Sequence, residues 1–201
     1  MTEAGGGVYA VVPVKDLRGT KSRLAPVLDP AARAGLTLYM MGRVVTRALE
    51  AGVEAVGVVS PDPIVLDEAL RRGAVPLVQK SRGLNPALEE GRLWATQNGA
   101  SALLVLPADL PLIEPEDVLA VLAGAASAPV VVAPDGARSG TNALLRRPPD
   151  ALPFLFGPES FEAHLQAAGD RGFEARVCEN GHLSIDLDTA GDLARYREGG
   201  A

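Results

Sequence analysis

Cysteine and histidine are scarce in this chain, and each shortage excludes something. One cysteine among 201 residues, Cys178, cannot form an internal disulfide framework, so a reducing compartment, the cytoplasm, is expected. His164 and His182 are the only histidines, which argues against a His/Cys zinc site. Basic residues are fewer than acidic ones, 19 against 25, leaving −6 and no excess positive charge for a nucleic-acid backbone. No apolar run reaches the length of a membrane span. Met1 to Gly7 lacks the basic and apolar regions of a signal peptide. What the chain does have is apolar residues, 47% of the total, enough for one α/β domain with a real core.

The apolar residues fall in an alternating order of strands and helices. Strands are expected over Val8–Val14, Val53–Val59, Val75–Val78, Ala102–Leu106, Pro129–Ala133, Thr141–Leu145, Phe173–Val177 and Leu183–Asp188. Helices are expected from Pro30, capped by Asp29, to Ala51, and over Pro63–Arg72, Glu116–Ala123 and Ala190–Arg197. Another begins at Pro86, with Asn85 as its cap, and a further one has Ser160 in its first turn. Leu36, Tyr39, Met40, Val44, Leu49 and Trp94 are expected in the core rather than in a site. The order predicts a mostly parallel, doubly wound sheet flanked by helices in a single domain spanning 1–201.

The stretch Ala102 to Ile113 organises the rest. It is apolar on both sides of one acid, Asp109. Pro107 ends the strand because it has no N–H to give, and Pro111 prevents an immediate helix. Asp109 is therefore expected in a stiff loop at the carboxyl end of a buried strand, where open α/β sheets bind ligands. A divalent cation or a substrate would suit its carboxylate there. Helix capping is the plainer alternative, but the next helix starts about five residues too late for it.

Four other stretches carry chemistry. Lys15, Arg18, Lys21 and Arg23 crowd around Gly19 just after the first strand, a loop suited to polyphosphate, or else simply a solvated basic loop. It is not a Walker loop, since the glycine and lysine spacing is wrong. Asn85 either only caps its helix or marks a helix N-terminus that receives a nucleotide. Gly157, Pro158 and Ser160 form either a neutral phosphate cradle or an ordinary helix start. Asp186 and Asp188 stand two apart and should project together while Leu187 turns inward. Two such carboxylates repel unless a cation or proton joins them, although Asp188 or Thr189 is also placed to cap the last helix.

With these pieces in view, the chain resembles the 2-phospho-L-lactate and phosphoenolpyruvate guanylyltransferases of coenzyme F420 biosynthesis. The resemblance rests on Val12-Pro-Val-Lys15 with Lys21-Ser-Arg-Leu24, Gly83-Leu-Asn85, Pro107-Ala-Asp-Leu-Pro111, Gly140-Thr-Asn-Ala-Leu144, Phe156-Gly-Pro-Glu-Ser-Phe161 with His164, and Ile185-Asp-Leu-Asp-Thr189. It implies a Rossmann-like, GT-A-like nucleotidyltransferase fold similar to the molybdenum-cofactor guanylyltransferases. Their usual opening Gly-rich loop of the L-A-G-G-x-S type is missing here. The resemblance further implies Mg²⁺, with Mn²⁺ as a substitute, on Asp109, Asp186 and Asp188, and catalytic roles for Asp109, Lys21 and Lys15. GTP would be held by Lys15, Lys21, Arg23 and Asn85, and the phosphate of a small phospho-acid by Thr141, Gly157 and Ser160. Another nucleotidyltransferase of this fold, or a nucleotide-binding regulatory domain without turnover, remains an alternative. The oligomeric state is left open, a homodimer included.

Overall fold

The computed structural model describes residues 6–199, so most of the stretch read for a signal peptide lies outside it. Seven strands form one sheet: β1 (Val8–Pro13), β2 (Ala55–Ser60), β3 (Val75–Val78), β4 (Ala102–Val105), β5 (Val130–Pro134), β6 (Thr141–Arg146) and β7 (Ala175–Val177). Their order across the sheet is β3-β2-β1-β4-β6-β5-β7. β6 alone runs antiparallel to its neighbours, β4 and β5, while every other pairing is parallel. The chain steps from β1 outward to β2 and β3, then returns to place β4 on the other side of β1. That reversal makes the carboxyl ends of β1 and β4 the topological switch point, where such sheets form a crevice.

Helices α1 (Pro30–Glu50), α2 (Pro63–Arg71) and α4 (Pro115–Gly124) cover one face of the sheet, and α3 (Leu84–Gln97) and α5 (Ser160–Asp170) the other. Period-two alternation divides the strands between them: Ala10 and Val12 join the first core, Val11 the second. Three helix starts share one local recipe, an acid followed by proline. Asp29 accepts from the amide of Ala32, Asp62 from that of Ile64, and at the third start Asp117 reaches back to accept from the Glu114 amide at 2.8 Å. α3 lies very close to β1, because a Cβ on Gly91 would come within 2.6 Å of Val11 Cγ1. Among the described residues, no helix is long and apolar enough to cross a membrane.

A small third cluster matters most for the site. Leu24, Met40, Leu187 and Leu193 are buried together, the last of them on α6 (Ala190–Gly199). Leu24 closes the basic loop and Leu187 separates Asp186 from Asp188. Burial of each leucine side chain stabilises the fold by about 1.5–3 kcal/mol, so this packing locks two site segments to the same helices.

Several sequence expectations need correction. Leu183–Asp188 is not a strand: Ser184 and Ile185 donate within turns, and Leu187 donates to the Asp109 carbonyl. The second strand begins at Ala55 rather than Val53, and the seventh at Ala175 rather than Phe173. Tyr39 is 50% exposed rather than in the core. Asn85 does not cap α3, because Gly83 occupies that position with φ +101. Pro86 therefore stands third in the helix, still inside the first turn where a missing N–H costs nothing.

Candidate active site

A cleft of about 740 Å³ opens at the carboxyl ends of β1 and β4. That is within the range of about 300–1,000 Å³ for small-ligand sites. Lys15, Lys21, Arg23, Asp109 and Asp188 all line it. Asn85, Thr141, Gly157, Ser160 and Asp186 do not.

The basic loop is shaped by buried polar contacts. Asp62, the α2 cap, also accepts from the Leu17 amide at 3.0 Å, tying the loop to β2's end. Thr37 donates to the Arg33 carbonyl, so Thr20 must donate to Thr37, at 3.0 Å. Lys21 then takes a left-handed conformation, φ 49 and ψ 43, uncommon for a lysine. This turns its side chain inward while Leu24 reaches the third cluster. Lys21 Nζ donates to Asp109 Oδ2 at 2.8 Å and to Asp188 Oδ1 at 2.7 Å. Burial alone would lower its pKa, but the two carboxylates outweigh that and raise it. Arg23 is exposed, with Nη1 3.9 Å from Asp188 Oδ2.

Asp109 lies in the loop between β4 and α4, as its flanking prolines require. Its backbone carbonyl accepts from Leu187 N at 3.1 Å, and that bond brings Asp186 and Asp188 beside it. Oxygens of Asp109, Asp186 and Asp188 all lie within 4.8 Å of one another. Burial first, and then the neighbouring Asp109 and Asp188 charges, hold the Asp186 carboxyl above its ordinary value. Asp188 is not the cap of α6. Thr189 Oγ1 accepts from the Asp192 amide at 3.2 Å, and Asp192 accepts back from the Thr189 amide at 2.7 Å. The three acids fit a divalent ion: they offer hard oxygen donors on one small patch, and the Lys21 ammonium already bridges two of them.

A second group of residues assembles next to this cleft. Leu144 pairs with Val105, so Thr141, three residues earlier on antiparallel β6, lies beyond the same end of β4 as Asp109. Thr141 and Ser160 are 4% and 2% exposed. Gly157 has φ +138, a backbone geometry that suits glycine. Phe156, just before it, lines the cleft. Asn85 joins the two groups: its Nδ2 donates to the Phe156 carbonyl at 3.1 Å and its Oδ1 accepts from the Phe156 amide at 3.0 Å.

Three further residues contribute, of which the sequence reading named only His164, and that through the resemblance. Glu90 accepts from the Lys80 and Ser81 amides at 3.0 and 2.7 Å, holding the Gln79–Gly83 wall of the cleft. Asp117 accepts from Asn180 at 2.8 Å and contacts His182 at 3.0 Å, fastening the turn that leads into Asp186. His164 contacts Thr141. Asp117 and His164 act across long sequence separations and Glu90 across a loop, and only the burial of His164 on an apolar helix face had a periodic signal.

The family model described as guanylyl transferase CofC like matches residues 8–196. The chain belongs to this CofC-like guanylyl transferase family. A phosphoenolpyruvate guanylyltransferase from Rubrobacter xylanophilus is 61% identical over 194 residues, covering 96% of this chain and 95% of that one. A 2-phospho-L-lactate guanylyltransferase from Methanothermobacter thermautotrophicus is 37% identical, covering 92% and 81%. A solved nucleotidyl transferase from Methanothermobacter, 18% identical, superposes with a TM-score of 0.72 over 97% of this chain and 98% of its own. This CofC-like protein is thus a guanylyltransferase with the α/β nucleotidyltransferase fold, in line with the sequence resemblance.

Proposed function

We propose that this CofC-like enzyme transfers GMP from GTP to the phosphate of phosphoenolpyruvate, releasing pyrophosphate, as a step in coenzyme F420 assembly. 2-Phospho-L-lactate is the second candidate acceptor. The observation that carries the reading is the meeting of Asp109, Asp186 and Asp188 with Lys15, Lys21 and Arg23 at one edge of the sheet. The acceptor rests on the name of the 61% identical Rubrobacter relative.

Asp109, Asp186 and Asp188 would hold a divalent ion, Mg²⁺ first and Mn²⁺ as a substitute. Such an ion, when bound, neutralises triphosphate charge and polarises the α-phosphoryl group. The remaining work falls to the chain. Lys15 and Arg23 attract the GTP phosphates, and Lys21 balances the acids beneath them. Asn85 supports the nucleotide side indirectly, by holding Phe156 at the border of the cleft. Thr141, Gly157 and Ser160 receive the acceptor phosphate. An oxygen of that phosphate attacks the α-phosphorus, and the bond from the α-phosphorus to the bridging oxygen breaks. Pyrophosphate leaves with the electron pair. A phosphate monoester is already mostly dianionic at neutral pH, so no general base is required. Catalysis is then positioning plus charge neutralisation.

The acceptor assignment to this corner is tested by steady-state kinetics. Thr141→Ala and Ser160→Ala should each raise KM for phosphoenolpyruvate about tenfold, the loss of one hydrogen bond to a charged oxygen, with little change in KM for GTP. An effect confined to GTP would reassign the corner to the donor.

A further inference from the structure

We propose that His164 is a positioning residue for the acceptor, fixing the Thr141 hydroxyl as a hydrogen-bond donor while it anchors the corner before Gly157. The inference rests on the reading that Thr141 receives the acceptor phosphate.

His164 is 0% exposed on α5, and its ring is fully engaged. Nε2 lies 3.1 Å from the Leu155 amide nitrogen. An amide N–H can only donate, so Nε2 must be the bare, accepting nitrogen. A neutral ring therefore carries its proton on Nδ1. Burial first, and then the Arg146 charge, push the ring down to about 4, so it is neutral at working pH. Nδ1 lies 3.0 Å from Thr141 Oγ1, and so donates to it. The hydroxyl of Thr141 has one hydrogen of its own. With an oxygen lone pair taken by the ring, that hydrogen is directed away from His164 and is free to donate to an anion.

The same ring holds the acceptor corner from its other side. Its bond to Leu155 fixes the residue two before Gly157, and its ring packs T-shaped with that of Phe156, centroids 4.9 Å apart. Asn85 grips Phe156 from α3. One histidine thus sets both a donor on β6 and the backbone leading into the Gly157–Ser160 loop.

The test separates the two nitrogens. His164→Gln can place an acceptor where Nε2 stands but has no donor at the Nδ1 position. His164→Asn can keep a donor at that position but loses the Leu155 bond. KM for phosphoenolpyruvate and for GTP would be measured for both variants, for Thr141→Ala, and for Thr141→Ala combined with His164→Gln, with urea denaturation of each protein. We expect His164→Gln to raise KM for phosphoenolpyruvate about fivefold with KM for GTP unchanged, the size of one net hydrogen bond. Adding it to Thr141→Ala should produce no further rise. His164→Asn, which keeps the donor to Thr141 and loses only the Leu155 anchor, should raise KM for phosphoenolpyruvate less than His164→Gln does, with KM for GTP unchanged. A rise in folded His164→Asn as large as in His164→Gln would overturn the proposal, and if the Gln variant does not fold the Asn variant decides: an equal rise in KM for GTP, or no rise in either KM, would overturn it. An undiminished effect of His164→Gln in the Thr141→Ala background would also overturn it. A Thr141→Ala rise with no His164→Gln rise would remove the role of His164 alone. No effect from Thr141→Ala would remove the Thr141 reading, and the proposal with it.

Discussion

Asp109→Asn should lower kcat about 10³-fold while the protein still folds, the scale expected when a pre-organised charge opposite the reacting phosphoryl group is removed. Folding should survive because an asparagine carbonyl can still accept from Lys21, and Asp188 keeps its own 2.7 Å bond to that lysine. The loop itself is set by Pro107, Pro111 and the backbone bond from Leu187, none of which the substitution touches. Asp186→Ala and Asp188→Ala should move activity in the same direction. Steady-state turnover with a urea melt on the same samples decides it. Near-normal kcat in folded Asp109→Asn would remove Asp109 from the chemistry.

Lys21→Met should separate metal affinity from turnover. Lys21 Nζ is the positive charge between Asp109 and Asp188. Its removal leaves three carboxylates within 4.8 Å with no ammonium among them. Mutual repulsion then favours any added cation, so Mn²⁺ should bind about tenfold more tightly, a gain of about 1.4 kcal/mol. Thermal unfolding should likewise shift upward on Mn²⁺ addition more than in the unaltered protein. Turnover should fall about 10²-fold, because the phosphates lose a positive charge held at a fixed place. Electron paramagnetic resonance of Mn²⁺ titrations gives the affinity without any assay of activity. Unchanged or weaker Mn²⁺ binding would mean that Lys21 and the cation do not share the acids.

The fold and the centre of the site were legible for local reasons. Val8–Pro13 and Ala102–Val105 are continuous apolar runs, which a strand buried on both faces requires. Asp109 is framed by Pro107 and Pro111, whose backbone restrictions act within a few residues. The Asp186/Asp188 pair was legible by its alternation with Leu187, although a single backbone bond to Asp109 replaces the expected strand ladder. Asn85 was misread because an Asn-Pro pair ordinarily marks a helix start. Here Gly83, freed by its positive φ, starts the helix earlier, and the Asn85 side chain reaches Phe156, 71 residues away. Asp117 and His164 likewise work through partners brought close only by the fold, and Glu90 through a loop that folds back on its own helix; no local pattern encodes these contacts.

Guanylyl transfer to a phospho-acid is the central claim, and one competition reads it directly. The enzyme would be given GTP, Mg²⁺ and equimolar phosphoenolpyruvate and 2-phospho-L-lactate at limiting enzyme, with products separated by mass and pyrophosphate counted. The account predicts guanylylated phosphoenolpyruvate in clear excess, with one pyrophosphate released per product. An excess of the lactyl product would contradict the acceptor assignment, and no guanylylated product from either acid would contradict the proposed reaction itself.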